Sequence, residues 1–253
     1  MTTMILVHGA CHGGWCWDRL VPHLEAKGLR VLAPDLPDLP LTEKDPVGRW
    51  GEIVAEMAER EARKDRVVVV GHSRGGVVVS TAAEKAPDAI SGLIYLAASL
   101  LPDRQTMTGA WRAFTDQPAI WVSPDAEGLS FTVTKGVYHR LFCPMSDAET
   151  AAAGEARLRP EPIASFTTPI RTGAGNFGRV PRAYVETTRD LIIPLAFQRS
   201  MQAALPCSQV ATLDADHLPF FAMPERLADT LAALAGGGTE GVGRMHRDDP
   251  SET

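Results

Sequence analysis

The chain lacks the features that would place a protein in a membrane or on nucleic acid. No apolar run among its 253 residues reaches the ~18 residues that a membrane helix needs. Basic runs are absent as well. Lys and Arg total 25 against 31 Asp and Glu, a formal charge of −6, which argues against a nucleic-acid partner. Cysteine is scarce, and Cys11, Cys16, Cys143 and Cys207 match no zinc spacing. The N-terminal MTTMILVHGA has no charged leading segment and only a short apolar run, so it reads as a strand and not as an export signal. The expectation is therefore a cytoplasmic protein with reduced thiols. No internal repeat is present. A hydrophobic content of 45 % over this length is enough to bury a large core without staples.

What the chain does have is a central stretch, Val67–Ser80, that reads VVVV, GHSRGG, VVVS. Four β-branched residues in a row predict a strand buried on both faces. Gly71-His72-Ser73-Arg74-Gly75 fits G-x-S-x-G, the turn that lifts a serine to the top of a parallel sheet. An Ala- and Val-rich run to about Ala86, free of proline, predicts a buried helix beginning at the serine. The dipole of such a helix favours developing negative charge at its N-terminus.

Around this stretch strands and helices alternate. Met4–Val7 runs into His8-Gly9-Ala10; Trp15–Lys27 has one apolar helical face, with Pro22 inside it; Arg30–Ala33 is a strand. A loop rich in proline and acid leads to a surface helix over Val47–Lys64, and Ile90–Ala97 is the fourth strand. This order predicts an α/β fold with a doubly wound, mostly parallel sheet. Ligands bind such sheets at the carboxyl ends of the strands, where the His8–Ala10 loop and Ser73 both lie. Alternation stops over residues 101–178, which hold Trp111, Phe114, Trp121, Phe131, Tyr138, Phe142, Phe166 and Phe177. We read this segment as a cap over the sheet, the core being 1–100 and 179–235. Alternation then resumes with strands at Pro181–Glu186 and Gln209–Leu213 and helices at Pro194–Leu205 and Pro224–Ala235. Residues 236–253 read as a mobile polar tail.

A serine hydroxyl is a poor nucleophile near neutral pH and needs a base oriented by an acid. On sheets of this kind the partners follow in the order Ser, Asp or Glu, His, each in a loop after a strand. Asp190 and His217 fit both the order and the placement. Asp103 is an alternative acid, whereas Asp214 and Asp216 read as loop acids or helix caps. His8, His12, His72 and His139 fall in the wrong place or order for the base. His8 and His72 are better suited to orienting backbone. The N–H groups of Ala10 and Arg74 are the expected oxyanion donors. The Arg74 side chain has two readings open, a partner for a cap acid or a solvated arginine.

His8-Gly9-Ala10-Cys11-His12-Gly13-Gly14-Trp15, GHSRGG and the late Asp190 and His217 together resemble the α/β-hydrolase superfamily. The similarity is to the branch of plant methylesterases, plant hydroxynitrile lyases and bacterial pyrethroid hydrolases. It covers nearly all of residues 3–235, strong in the sheet segments and weak in the cap. It implies an α/β-hydrolase fold with an inserted, largely helical cap, no cofactor, often a homodimer, and a small-molecule ester as substrate. Lyases of this branch carry threonine after the first-strand histidine and lysine after the catalytic one. This chain has Gly9 and Leu218, which favours ester hydrolysis. Arg74 departs from the apolar residue usual there. Gly9, Trp111, Trp121, Phe131 and Leu218 are the candidates for substrate contact. A hydroxynitrile lyase and a slow-turnover small-molecule receptor are the rival readings. A dehalogenase or epoxide hydrolase is disfavoured, because those chemistries place aspartate where Ser73 stands.

Overall fold

The computed structural model describes residues 1–236; the proposed tail, apart from Gly236, lies outside the described residues. Its central sheet has six strands, all parallel: β1 (Thr2–Val7), β2 (Leu29–Leu32), β3 (Arg66–His72), β4 (Gly92–Leu96), β8 (Arg182–Thr187) and β9 (Gln209–Leu213). Between them run α1 (Val21–Glu25), α2 (Pro46–Ala62), α3 (Gly75–Lys85) and α8 (Leu195–Ala204), and α9 (Pro219–Ala222) and α10 (Pro224–Gly236) follow β9. The strand order is β2-β1-β3-β4-β8-β9. It reverses at β1, so the switch point lies between β1 and β3, where ligands of doubly wound sheets bind. Right-handed crossovers put α1 on one face and α2, α3 and α8 on the other, and α10, after the last strand, joins α1. In agreement, α1 packs on α10 and α2 on α3.

The valines of β3 explain its central place. Val67 to Val70 are all buried, and each is worth roughly 1.5–3 kcal/mol when removed from water. α2 buries Val47, Trp50, Val54, Ala55 and Ala58 along one side, and Asp45 caps it by accepting from Gly48 N–H at 2.8 Å. Trp15–Lys27 is not the single helix its apolar spacing suggests. A 3₁₀ turn over Gly14–Trp17 comes first, and α1 begins only at Val21. Pro22 sits in the first turn of α1, where its missing N–H costs nothing.

Between β4 and β8 lie α4 (Met107–Phe114), α5 (Tyr138–Phe142), α6 (Ala148–Glu155) and α7 (Ala164–Thr167). They are joined by a small antiparallel sheet of β5 (Val122–Pro124), β6 (Ser130–Val133) and β7 (Glu161–Pro162). The helices predominate in this segment, and the three-stranded sheet is an addition to the expected picture. Among the described residues no helix is long and apolar enough to cross a membrane.

α3 lies so close to the exit of β4 that a Cβ on Gly76 would stand 2.3 Å from Ser99 O and 3.0 Å from Ala98 Cβ. Alanine gains up to about 1 kcal/mol of helix propensity over glycine. Overpacking against backbone costs about 1–3 kcal/mol, so the clash wins. Gly76→Ala is expected to lower the urea midpoint of unfolding; an unchanged or raised midpoint would show that the helix can move aside.

Candidate active site

Ser73 sits at the turn from β3 into α3 with φ +53°, a left-handed conformation that a residue with a Cβ adopts at a cost of roughly 1–2 kcal/mol. The turn is tight enough to require glycine on both sides. A Cβ on Gly71 would meet Gly75 O at 2.7 Å, and one on Gly75 would meet Val7 O at 2.6 Å. Backbone bonds fix the serine: Ser73 N–H donates to Leu96 O at 3.3 Å, and Ser99 N–H donates to Ser73 O at 3.0 Å. The preceding residue ties the turn to the β9 loop, since His72 Nε2–H donates to the carbonyl of His217 at 2.9 Å.

Asp190 and His217 come together as a buried pair. His217 Nδ1 is 2.8 Å from Asp190 Oδ2. Desolvating a carboxylate is expensive unless it is hydrogen-bonded, and Asp190 is supplied with donors. Its Oδ1 accepts from Ile192 N–H and Ile193 N–H, both at 2.8 Å. Its Oδ2 also accepts from Thr187 Oγ1 at 3.2 Å and Gln198 Nε2 at 3.5 Å. With Nδ1–H committed to Asp190, the neutral ring has its lone pair on Nε2. The other acids lie elsewhere. Asp103 accepts from Thr172 N–H, Asp214 pairs with Arg189, and Asp216 accepts from the N–H groups of Met145 and Leu218.

His8, His12 and His139, like His72, each bond a backbone carbonyl. His8 Nδ1–H donates to Gly9 O at 2.9 Å and its Nε2 accepts from Leu36 N–H at 3.2 Å. His12 Nδ1–H donates to Ala10 O and its Nε2 accepts from Tyr138 O–H, both at 2.8 Å. His139 bonds the carbonyl of Ser146. Burial, then the Arg74 charge, holds His8 well below its ordinary range, and burial, then His217, does so for His72. Burial takes His12 from 6.5 to about 4. These groups bind protons more readily in the unfolded chain, so stability is lost as pH falls through that window. For His12 alone the loss by about pH 5 is of order 2 kcal/mol. Urea midpoints at pH 7.5 and pH 5 check this, and equal midpoints would contradict it.

Arg74 follows the serine in the chain and Ala10 lies in the loop after β1, and among the described residues the N–H of neither has a hydrogen-bond partner. The Arg74 side chain is not solvated. It is buried, with Nε 3.1 Å from Glu161 Oε1, Nη2 donating to Gly9 O at 3.2 Å, and its guanidinium carbon 4.3 Å from the centre of the Trp50 ring. Burial pulls this arginine down from its ordinary range, and Glu161 opposes the shift.

A cavity of about 710 Å³ opens onto Ser73. Trp111, Trp121 and Phe131 stand on its wall, together with Phe166, Ile192 and Phe197. Gly9 and Leu218 do not. Gly9 lies behind the serine turn, where a Cβ would meet both His72 Nδ1 and Ser73 Cβ at 2.9 Å, and Leu218 is fully buried. Two residues escaped the sequence reading. Gln198 is completely buried and holds the Asp190 loop: it donates to Ile193 O at 2.7 Å and accepts from Thr187 N–H at 3.0 Å. Glu161 is buried against Arg74. A lone glutamine on a helix and a lone glutamate before a proline carry no signal that separates them from surface residues. Among the described residues no group of His, Cys, Asp and Glu is placed to hold a metal ion.

Residues 4–230 match the model of the Alpha/beta hydrolase family. A pyrethroid hydrolase of Sphingobium wenxiniae is 33 % identical, over 95 % of this chain and 90 % of the relative. Methylesterase 2 of Arabidopsis thaliana is 32 % identical, over 91 % of this chain and 95 % of its own length. The crystal structure of a pyrethroid hydrolase from Sphingobium faniae JZ-2 superposes with a TM-score of 0.79 at 31 % identity, covering 95 % of this chain and 99 % of that one. With the fold, the switch-point serine and these likenesses in agreement, the chain belongs to the alpha/beta hydrolase family.

Proposed function

We propose that the protein is a serine carboxylesterase that hydrolyses a hydrophobic or aromatic small-molecule ester through an acyl-enzyme. The observation that carries this reading is a histidine whose imidazole is fixed by a buried carboxylate and whose backbone carbonyl is bonded by His72, next to the serine at the mouth of an apolar cavity. Ser73 Oγ attacks the ester carbonyl and gives its proton to His217 Nε2. Asp190 keeps the ring in that tautomer and stabilises the imidazolium. The carbonyl oxygen, now an anion, is held by the N–H groups of Ala10 and Arg74. The tetrahedral adduct collapses as His217 returns the proton to the leaving alcohol. Water, deprotonated by His217, then cleaves the acyl-enzyme and frees the acid. Residues 101–178 serve as the cap, and Trp111, Trp121 and Phe131 offer the substrate an apolar wall.

Position 9 also supports hydrolysis over cyanohydrin cleavage. The threonine that the lyases carry there would drive its Cβ into His72 and Ser73. Leu218 offers no positive charge to departing cyanide. The test is turnover of a p-nitrophenyl ester series, from acetate to long acyl chains, by wild type and Ser73→Ala side by side. Ser73-dependent hydrolysis is expected, with an optimum that sizes the cavity. Cyanide release from mandelonitrile without ester turnover would select the lyase instead.

A further inference from the structure

Two buried groups near the serine are left without a task by the steps above: the side chain of Arg74, and Glu161 on β7. Both reach the loop after β1. A trans peptide is planar, so its C=O and N–H point in opposite directions. In the Gly9–Ala10 unit the carbonyl is held by Arg74 Nη2 at 3.2 Å and by His8 Nδ1 at 2.9 Å. With the oxygen fixed on that side, the Ala10 N–H is turned to the other. One residue further on, Cys11 N–H donates to Glu161 Oε2 at 3.1 Å, and the Cys11 backbone is held left-handed at φ +62°. Glu161 is steadied in turn: its Oε1 accepts from Ser165 Oγ at 2.7 Å and faces Arg74 Nε at 3.1 Å. One connected pair thus grips the loop at Gly9 and at Cys11, with the Ala10 donor between them. The same arginine supplies the second donor from its own backbone.

Stability alone gives no reason for this pair. A buried ion pair seldom outperforms apolar residues of the same size, because desolvation consumes what attraction returns. We infer that the Arg74 side chain and Glu161 are positioning residues that orient the Gly9–Ala10 peptide toward the oxyanion, and so couple docking of the β7 segment to the reactivity of Ser73. The inference rests on the esterase reading, and its test keeps the two apart.

Arg74→Leu, Glu161→Gln and the double variant are compared with wild type and Ser73→Ala on a p-nitrophenyl ester. Each is also titrated with a trifluoromethyl ketone. That probe bonds its carbonyl carbon to Ser73 Oγ, passes the serine proton to His217 and leaves its oxygen as an anion in the oxyanion site. Losing a whole donor typically costs 10²–10³ in kcat, so a misaimed one is expected to cost roughly tenfold to a hundredfold. KM should stay within about twofold, and affinity for the ketone should fall by the same factor as kcat/KM. Glu161→Gln alone leaves an unpaired buried charge on Arg74 and can unfold the chain. The double variant removes both charges, so its melting temperature should lie near that of wild type while its kcat stays low. A double variant with wild-type kcat and wild-type ketone affinity overturns the inference and leaves the esterase standing. Wild type without Ser73-dependent turnover overturns both.

Discussion

Ser73→Ala is expected to lower kcat for a p-nitrophenyl ester by about 10⁶-fold, the scale found when a triad nucleophile is removed. No nearby group can replace it. Cys11 and Cys16 are buried, and burial raises both thiols well above their ordinary range, so neither supplies a thiolate. The substitution should leave the fold intact. Alanine bears the same left-handed strain as serine, and the bonds that fix residue 73, to Leu96 O and from Ser99 N–H, are made by its backbone. His217→Ala in the Ser73→Ala background should add little, since residues that act as a unit do not contribute additively. The measurement is single-turnover hydrolysis by purified protein with matched melting curves. Retention of more than about 1 % of activity by folded Ser73→Ala would falsify the assignment, because the expected residue is orders of magnitude smaller.

For Asp190→Asn the expected loss is about 10⁴-fold in kcat, with KM little changed. The geometry gives the reason. Asp190 Oδ1 receives two backbone N–H groups, from Ile192 and Ile193, and only an acceptor can occupy that place. The asparagine must put its carbonyl oxygen there, and its NH₂ then faces His217 Nδ1. A ring that accepts at Nδ1 carries its proton on Nε2 and cannot take one from Ser73. The same NH₂ confronts Gln198 Nε2, another donor, at the former Oδ2 position. Stability should also fall, by about 1–3 kcal/mol for a buried donor left without its partner. The kcat/KM split and a urea midpoint measured on one preparation separate the two effects. Wild-type kcat in this variant would mean that another acid orients the base.

Much of this arrangement is legible in the residues because it depends on local constraints. Val67–Val70 is apolar without interruption, which only a strand covered on both faces tolerates, and the two glycines of GHSRG mark a turn with no room for side chains. Gln209–Leu213 and the run from Pro224 were equally plain, being β-branched or apolar with helical spacing. The region from Met107 to Phe177 was not legible in the same way. Its strands are two to four residues long, and β7 pairs with β6 across an intervening pair of helices. No periodicity develops over such lengths. The aromatics there signalled an apolar enclosure without showing which ring faces the cavity and which fills the interior. The roles of Gln198 and Glu161 lay further still from view: Gln198 folds back on the loop just before its own helix without any pattern that marks it, and Glu161 acts on Cys11 and Arg74, which only the complete fold brings near. Pro22 misled for the opposite reason: it falls inside the apolar helical stretch Trp15–Lys27 and instead marks where a shorter helix starts.

The buried pair of Arg74 and Glu161 also constrains how a chain of this kind can change over generations. The two codons lie far apart, and a lineage with neutral residues at both positions can acquire only one charge at a time. Either first step buries a charge with no counterpart, at roughly 3–5 kcal/mol. A typical domain holds only about 5–15 kcal/mol in reserve. The path into this arrangement therefore runs through ancestors with stability to spare, and the path out is as narrow. Once acquired, each position constrains the other, and a segment grafted from a relative lacking the glutamate would arrive without the partner that its new host requires.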